Sequence, residues 1–459
     1  MYFNTLTYFG FFAAVFCGYV FLINRKNAFT AYWLLAASVV FYVVAGWLDT
    51  ALIACLIAYN WLILAAVKHD KARVILAVLG NIGVLAAIKY RAYFSGDGIG
   101  DGTSYIDTVL PLGISFYTFQ LVAFHVDAAR DQTLKHQRQL SFPLFVIFFP
   151  QLIAGPIVRA QQLLPQVINL FRGRPRQLRL YSFGLGLCLL GLTKKIIFAD
   201  SLAPIVDDIF FLQNPTTYDA WLGAWLFTFQ IYFDFSGYSD IALGCAYLLG
   251  IRLPWNFLTP YMSHSPREFW QRWHITLSTW IRDYLYIPLG GNRGGRGRQT
   301  GILLLVMGLA GLWHGADHTF VLWGIGWGLY IGFHRLFTVG DHFTSSILKL
   351  ILWLPHFFIV ILLWVLFRAP SLEKSIDYYN AMFSLPREPA PEMWPWILVG
   401  CFALLLLHYF EAKYLQSRHA LKTCRHLNRP FFWGLMAGLC LWLVMLPSYN
   451  TNPFIYFRF

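Results

Sequence analysis

The chain has 459 residues, of which 58% are hydrophobic and only 12% are charged, whereas soluble domains carry about a quarter charged residues. This composition excludes an ordinary soluble domain and predicts a polytopic membrane protein. The net charge of +13 does not indicate nucleic-acid binding, because the basic residues lie in short loops between apolar segments, as the positive-inside rule describes. The seven cysteines are scattered and show no spacing typical of a metal site or a disulfide framework.

Apolar segments near the length that spans a bilayer, about 20 residues, recur along the whole chain. Residues 8–23, 300–313 and 431–446 are examples. We expect roughly 10 to 13 membrane segments in one membrane domain covering residues 1–459. No positive charge precedes the first segment and no small-residue cleavage pattern follows it, which predicts a retained helix rather than a signal peptide.

Basic and acidic loops alternate between these segments and indicate the orientation of the chain. The loops at 94–107 and 199–220 carry Asp but no Lys or Arg and are expected on the external side of the membrane. The basic loops, expected in the cytoplasm, lie at 25–26, 68–73, 171–179, 290–298 and 413–429. Both termini are therefore predicted on the external side.

Two segments depart from the pattern of regular spanning helices. Residues 142–160 are apolar but contain Pro150, Gly155 and Pro156. Irregular backbone at membrane depth must be buried in protein or line a cavity, which favours a re-entrant element near a site. An ordinary kinked helix is the alternative. Residues 368–396 are predicted to form a partly extramembrane loop that contains an amphipathic piece.

Charged side chains accumulate between residues 230 and 318, which we call the polar block. Charged side chains are energetically unfavourable within a membrane, so they usually face an interior cavity and are candidates for function. The residues concerned are Asp234, Asp240, Arg267, Glu268, Arg272, His274, Arg282 and Asp283.

The stretch 265–286 within the polar block predicts one oblique or interfacial helix. Ser265 is a suitable N-cap, Pro266 fits the first helical position and Glu268 completes a capping box. The residues expected to share one face are Trp270, Trp273, His274, Leu277 and Ile281. A helix that only anchors the protein at the membrane surface explains the Trp and Arg side chains, but it does not explain His274.

His314 belongs to a Trp-His-Gly triplet in the apolar stretch 308–320. It follows Arg298, the last base of the preceding loop, by 16 residues, which is ~24 Å along a helix. In a hydrocarbon core of about 30 Å, the imidazole is expected well inside the membrane or toward its external side. Three interpretations stay open: a hydrogen-bonded core residue, a general base for acyl transfer, and a proton relay in transport.

The loop GGNRGGRG at 290–297 contains glycines and bases that could hold phosphate through backbone N–H groups and arginine contacts. Asn292, Arg293 and Arg296 are its candidate binding residues. A flexible cytoplasmic turn that follows the positive-inside rule is the alternative interpretation.

Several longer motifs occur in order from about residue 110 to the C-terminus. They are LPLGISFYTFQ, FFPQLIAGPIVR, FDFSGYSDIALG, NFLTPYMSHSPREFWQRWHITLSTWIRDYLYIPLGGNRGG, GLWHGA and NPFIYFRF. With these motifs the sequence resembles the membrane-bound O-acyltransferase family. Within that family it is most similar to the bacterial alginate O-acetyltransferase membrane components, which have relatives that acetylate cellulose or transfer D-alanine to teichoic acid.

The resemblance implies an all-α polytopic fold with helices and re-entrant elements around a central funnel or tunnel. N-terminal helices would cover 1–109, a core 110–335 and C-terminal helices 336–459. His314 would be the catalytic base and His274 a second catalytic position. The expected substrate-binding residues are Trp313, which would wall the tunnel, Arg293 and Arg296, which would hold phosphates of the donor, and Asp234, Arg282 and Asn292.

The resemblance also implies a donor and partners. The donor is expected to be acetyl-CoA or another cytoplasmic acyl thioester, with no permanently bound cofactor and no metal. The acetyl group would pass to periplasmic partner acetyltransferases and an exopolysaccharide, alginate or cellulose. The protein would lie in the bilayer of the bacterial inner membrane with periplasmic termini and no nucleic-acid partner. D-alanyl transfer, a proton-coupled transporter and a scaffold with structural histidines are the alternatives.

Overall fold

The computed structural model describes residues 3–415 apart from 4, 24, 26, 92–109, 132, 135–139, 153–154, 175–180, 338–345 and 387–388. Regular secondary structure in this part of the chain is entirely helical, which confirms the predicted all-α class. Five helices there are long and apolar enough to cross a membrane by length and composition, and two shorter apolar helices precede them. The predicted segment 431–446 lies outside the described residues.

Backbone contacts divide the chain into two compact units. The described residues of the first come from Met1–Thr193 and Gly237–Trp255, and those of the second from Lys194–Ser236 and Asn256–His426. The predicted division of a single membrane domain at residues 109 and 335 stays a prediction.

The first unit contains the helices of the N-terminal part of the chain. They are α1 (Leu6–Ile23), α2 (Phe29–Ala45), α3 (Trp47–Ala66), α4 (Asp70–Lys89), α5 (Ile114–Arg130), α6 (Ser141–Ile147), α7 (Phe149–Leu152), α8 (Ala160–Phe171) and α9 (Tyr181–Leu192).

The second unit begins at Lys194, within the π-helical segment Thr193–Ala199, and, apart from Gly237–Trp255, continues to the end of the described chain. Its helices are α10 (Asp200–Phe210), the N-terminal part of α11 (Thr217–Leu248), α12 (Pro266–Arg272), α13 (Ile275–Ile281), α14 (Arg296–His314), α15 (His318–Phe337), α16 (Ser346–Arg368), α17 (Leu372–Phe383) and α18 (Trp394–Phe410). A 3₁₀ turn at Pro260–Met262 and π-helical segments at Arg282–Tyr286 and Glu411–Leu415 complete it.

The proline-rich segment 142–160 is broken into short helices. Helix α6 has seven residues and α7 has four, so α6 extends only ~10 Å and cannot cross a hydrocarbon core of about 30 Å. Both helices are buried. This geometry agrees with the predicted re-entrant element and not with a single kinked spanning helix, while its predicted position near a site stays a prediction.

Helices α14 and α15 form a closely packed antiparallel hairpin. A Cβ atom on Gly311 would collide with the carbonyl oxygen of Phe320, and one on Gly324 would collide with the carbonyl oxygen of Met307. Only glycine allows two backbones to approach this closely. The two helices that carry the Trp-His-Gly triplet and the tryptophans after it therefore touch backbone to backbone.

The prediction of one continuous helix over 265–286 is wrong. The start is as expected, since the Ser265 hydroxyl accepts a hydrogen bond from the Glu268 N–H at 3.2 Å. However, α12 ends at Arg272 because Trp273 is extended and His274 has a left-handed backbone with φ of 41°. A new helix, α13, begins at Ile275. The break could not be found from helical periodicity, because contacts with another segment hold it.

The Glu268 carboxylate also differs from a standard capping box, because it accepts from the N–H of His264, at 2.9 Å, and not from that of Ser265. Its other oxygen accepts from Arg272 at 2.7 Å. Burial favours the neutral carboxyl, but the His264 N–H and the charge of Arg272 outweigh it and lower the pKa of Glu268.

The predicted amphipathic piece of 368–396 is present as α17. The Ser371 hydroxyl caps it by accepting from the Lys374 N–H at 3.2 Å. The helix buries Ser375, Tyr378 and Met382, which recur at helical spacing on one face. Its position outside the membrane stays a prediction.

Candidate functional site

His314 is the last residue of α14 and lies in a surround of aromatic rings. Its side chain is buried, and its ring centroid lies 4.8 Å from Trp313, 5.1 Å from Trp323 and 5.1 Å from Phe367. The Trp323 and Phe367 rings meet the imidazole edge to face, with interplanar angles of 89° and 77°. Three helices, α14, α15 and α16, therefore fix this imidazole in an apolar environment.

The Gly/Arg loop lies at the opposite end of α14 from His314. Arg296 is the first residue of this 19-residue helix and His314 is the last, so their backbones are ~27 Å apart along the axis. Asn292, Arg293 and Arg296 are exposed. The structure does not bring these three predicted binding residues together with His314.

His274 occupies the break between α12 and α13. It is fully buried, and its ring lies 4.5 Å from Phe235 and stacks on Phe257 at 6.2 Å. The sequence predicts His274 as a site candidate, but the helical backbone that it predicts there is wrong, because the residue is left-handed.

Asn256 holds the backbone that follows His274. Its side-chain oxygen accepts hydrogen bonds from the N–H of Thr276 at 3.2 Å and from the Thr276 hydroxyl at 2.9 Å. Its carbonyl oxygen accepts from the N–H of Ile275 at 2.9 Å. Asn256 thus satisfies the first turn of α13 and supports the left-handed conformation. Asn256 was not among the site residues predicted from the sequence.

Tryptophan rings connect the two histidines. Trp273 precedes His274, and its ring centroid lies 4.8 Å from that of Trp364. Trp364 lies 5.9 Å from Trp323, which contacts His314. The structure therefore brings His274, His314 and Trp313 into one aromatic cluster, although nothing in the sequence pairs the rings of Trp273 and Trp364.

Asp234 lies in a buried ion pair. Its carboxylate is 2.6 Å from the ammonium of Lys195, which also lies 2.7 Å from Asp200. The neighbouring Lys194 pairs with Glu411, and the Tyr232 hydroxyl donates to the same carboxylate at 2.7 Å. These lysines were missed, although two adjacent Lys in an apolar stretch give a signal in the sequence.

Arg282 is exposed, whereas His274 and His314 are buried. Its Nε donates to Asp283 at 2.6 Å, and 59% of the arginine side chain is exposed. The hydrogen bond to Asp283 and the charge of that carboxylate raise the pKa of Arg282. Nearby in the chain, the Tyr286 hydroxyl donates to Asn292 at 2.9 Å and accepts from Arg335 at 3.0 Å.

A second buried histidine arrangement was not predicted. His356 Nε2 lies 2.9 Å from the Ser263 hydroxyl, and its Nδ1 lies 2.9 Å from the Tyr330 hydroxyl. Because both ring nitrogens have partners, this imidazole is held as a satisfied core residue. Within the described ranges, no three His, Cys, Asp or Glu side chains are grouped so that they could hold a metal ion.

The arrangement around His314 suits proton transfer within a water-poor site. An imidazole is the usual general base near neutral pH, and rigid aromatic packing fixes where its ring can reach. The apolar surround strengthens electrostatic interactions with any polar substrate that enters.

Comparisons with known proteins identify the family of the chain. A model of the MBOAT, membrane-bound O-acyltransferase, family matches residues 102–344. The probable alginate O-acetylase AlgI of Pseudomonas aeruginosa is 40% identical over 401 residues, which cover 84% of this chain and 75% of that protein. The probable alginate O-acetylase AlgI of Pseudomonas putida is 35% identical over 496 aligned positions and covers both chains fully.

A relative named for a different substrate is also similar. The peptidoglycan O-acetyltransferase of Helicobacter pylori is 33% identical over 426 residues, which cover 83% of this chain and 80% of that protein. The family match includes the polar block, with both His274 and His314. The helical structure, the apolar spans and these matches establish that the chain belongs to the membrane-bound O-acyltransferase family and is a multi-pass membrane O-acyltransferase.

Proposed function

We propose that this protein takes an acetyl group from a cytoplasmic thioester and delivers it across the inner membrane for O-acetylation of an exopolysaccharide, with His314 as the general base. The observation that carries the proposal is the burial of the His314 imidazole among Trp313, Trp323 and Phe367. The alginate and peptidoglycan O-acetylases among its relatives support acetyl as the group and a polysaccharide as the final acceptor.

In the proposed reaction, His314 accepts the proton of an acceptor hydroxyl while the hydroxyl oxygen attacks the carbonyl carbon of the thioester. A C–O bond forms and the carbon–sulfur bond breaks. The leaving sulfur takes up the proton from the imidazolium, so that the products are an ester and a free thiol. General-base catalysis of this kind contributes typically about 10²- to 10⁴-fold to the rate.

The donor would enter at the end of α14 that carries the Gly/Arg loop. The exposed Arg293 and Arg296 would hold its phosphates, with Asn292 beside them, while the long acyl arm reaches along the helix toward His314. Acetyl-CoA or a carrier-protein thioester has the required chemistry. The ~27 Å between the ends of α14 requires an extended arm, which supports a donor of this class.

The remaining predicted site residues have supporting roles in the proposal. His274 would orient the acceptor or the donor from its position in the aromatic cluster, and Trp313 would form a wall of the acyl path. Asp234 is held by Lys195 at 2.6 Å, so it would act by organising the buried charges rather than by direct contact. Arg282, being exposed, would contact a donor or partner at the surface.

The proposed orientation has both termini in the periplasm and the basic loops in the cytoplasm. Periplasmic partner acetyltransferases would then receive the acetyl group and complete the modification of alginate or cellulose. D-alanyl transfer to an envelope polymer is the alternative within the family, and the identity of the transferred group separates the two.

The test measures polymer-bound acetate in cells that produce the wild type, His314→Ala or His318→Ala, with the membrane abundance of each protein determined in the same samples. His318 is an exposed histidine four residues further along and is the matched control. We expect acetate to be lost only in His314→Ala, at normal abundance. Full acetate in that variant would exclude His314 as the base, and polymer-bound alanine in place of acetate would establish the alternative.

A further inference from the structure

The indole of Trp323 is a buried hydrogen-bond donor beside the candidate base. The residue is 1% exposed, and its ring meets that of His314 at 5.1 Å and 89°. Among the residues that the structure describes, no hydrogen-bond acceptor faces its Nε1–H.

A donor buried in this way has an energetic cost. A buried N–H without an acceptor has lost its hydrogen bonds to water and gained none in the protein, so it destabilises the fold. A phenylalanine at position 323 would fill most of the same space without that cost. The ring is also fixed from several sides, by Trp270 at 6.0 Å, Trp364 at 5.9 Å and Phe367 at 5.1 Å. A rigid, unsatisfied donor next to a reacting group is the property of a site that stabilises developing negative charge.

We propose that the Trp323 indole N–H donates a hydrogen bond to the thioester carbonyl oxygen as that oxygen becomes negatively charged in the transition state. This inference rests on the proposed function of His314. When the acceptor oxygen bonds to the carbonyl carbon, the π electron pair of the C=O bond moves onto the oxygen. The pair returns when the C–S bond breaks, and the leaving sulfur takes the proton from His314.

Trp327 resembles Trp323 in burial but not in its contact with His314. It is also fully buried with an Nε1–H that meets no acceptor in the described part of the chain. It lies one helical turn further along α15, about 6 Å from Trp323. Its ring packs on Phe269 at 4.6 Å and on Trp270 at 5.2 Å. Burial without an acceptor is shared by both tryptophans, whereas contact with His314 distinguishes Trp323.

The experiment compares Trp323→Phe with Trp327→Phe, which remove the same N–H from equally buried rings. Cells producing each variant are assayed for polymer-bound acetate over time, and values are divided by the amount of folded protein in the membrane. Membranes are also assayed for thiol release from acetyl-CoA, to separate kcat from KM. We expect Trp323→Phe to lower the rate on the order of 10²-fold with KM unchanged, and Trp327→Phe to change it less than about twofold.

Equal rates in the two variants, or a loss in Trp323→Phe that appears only in KM or abundance, would overturn the role of Trp323. If Trp323→Phe does not accumulate, Trp323→His, which keeps a ring N–H, replaces it, and a rate as low as that of His314→Ala would refute the inference. His314→Ala is measured alongside. Full activity in His314→Ala would refute the proposed function itself, whereas its loss together with an unaffected Trp323→Phe would refute only the inference made here.

Discussion

The two buried histidines of the polar block lie on opposite kinds of backbone. His314 ends a regular helix of 19 residues, whereas His274 separates two helices of seven residues and has φ of 41°. The first position is set by local helix geometry and can be calculated along the chain. The second is set by Asn256, which is 18 residues away in sequence. The contrast shows that one aromatic cluster can combine a residue placed by local helix geometry with a residue placed by tertiary contacts.

The largest expected effect is on acetyl transfer, and it should differ between variants of His314 and of His274. His314→Gln should lower acetyl transfer by about 10²- to 10⁴-fold, because it removes the proposed general base. His274→Gln should lower it by about tenfold, because a positioning group leaves the base in place. Polymer-bound acetate, divided by membrane abundance, measures both. A larger loss in His274→Gln would reverse the assignment of roles.

The next prediction concerns the α14–α15 hairpin, whose regular helices position His314. Gly311→Ala should destabilise the protein by about 1–3 kcal/mol, because the added methyl group meets the Phe320 carbonyl. Gly308→Ala is the matched control, since its Cβ would lie 3.7 Å from Ile325, an ordinary contact. Thermal unfolding of the detergent-purified variants measures the difference. Equal melting temperatures would show that the helices are not in backbone contact.

A further prediction concerns Asn256, which supports the helix break at His274. Asn256→Ala should cost about 1–3 kcal/mol and reduce transfer, because the N–H and the hydroxyl of Thr276 lose their acceptor. The N–H of Ile275 keeps its bond, since its acceptor is the backbone carbonyl of residue 256. Thr276→Val removes only the hydroxyl donor and should cost about 0.5–1.5 kcal/mol. Unfolding temperature and acetate transfer are measured on the same preparations. A cost for Thr276→Val equal to that for Asn256→Ala would contradict a supporting role of the asparagine for the whole turn.

The last prediction compares the stabilities of the glycine and alanine variants at His274 and at His314, where the difference should have opposite signs. At His274 the left-handed backbone should make the glycine variant more stable than the alanine variant by about 1–2 kcal/mol. At His314 the helical backbone should make glycine the less stable by about 0.5–1 kcal/mol. Comparing the two variants at each site cancels the loss of the imidazole. The same sign at both positions would remove the contrast between their backbones.

Sequence periodicity predicted those parts of the molecule that depend on local geometry. The Ser265 cap, the interruption of residues 142–160 and the position of His314 at the far end of α14 all follow from the residues present. The break at His274 and the pairing of Lys195 with Asp234 do not, because both depend on segments distant in the chain. The residues that connect the histidines were equally hidden, since any tryptophan in such a chain can face lipid or protein.

The backbone contact at Gly311 and Gly324 also bears on which acyl groups can be accepted. His314 and Trp323 stand on two helices that cannot move closer together, and any side chain between those helices would force them apart. The distance between His314 and Trp323 is therefore fixed by the packing of these two helices. Phe367, on the third helix α16, is the one of the three rings around His314 that stands outside this hairpin. A smaller side chain at Phe367 should therefore make room for a larger acyl group, and it should also loosen the His314 imidazole, because it removes one of the three rings that fix it.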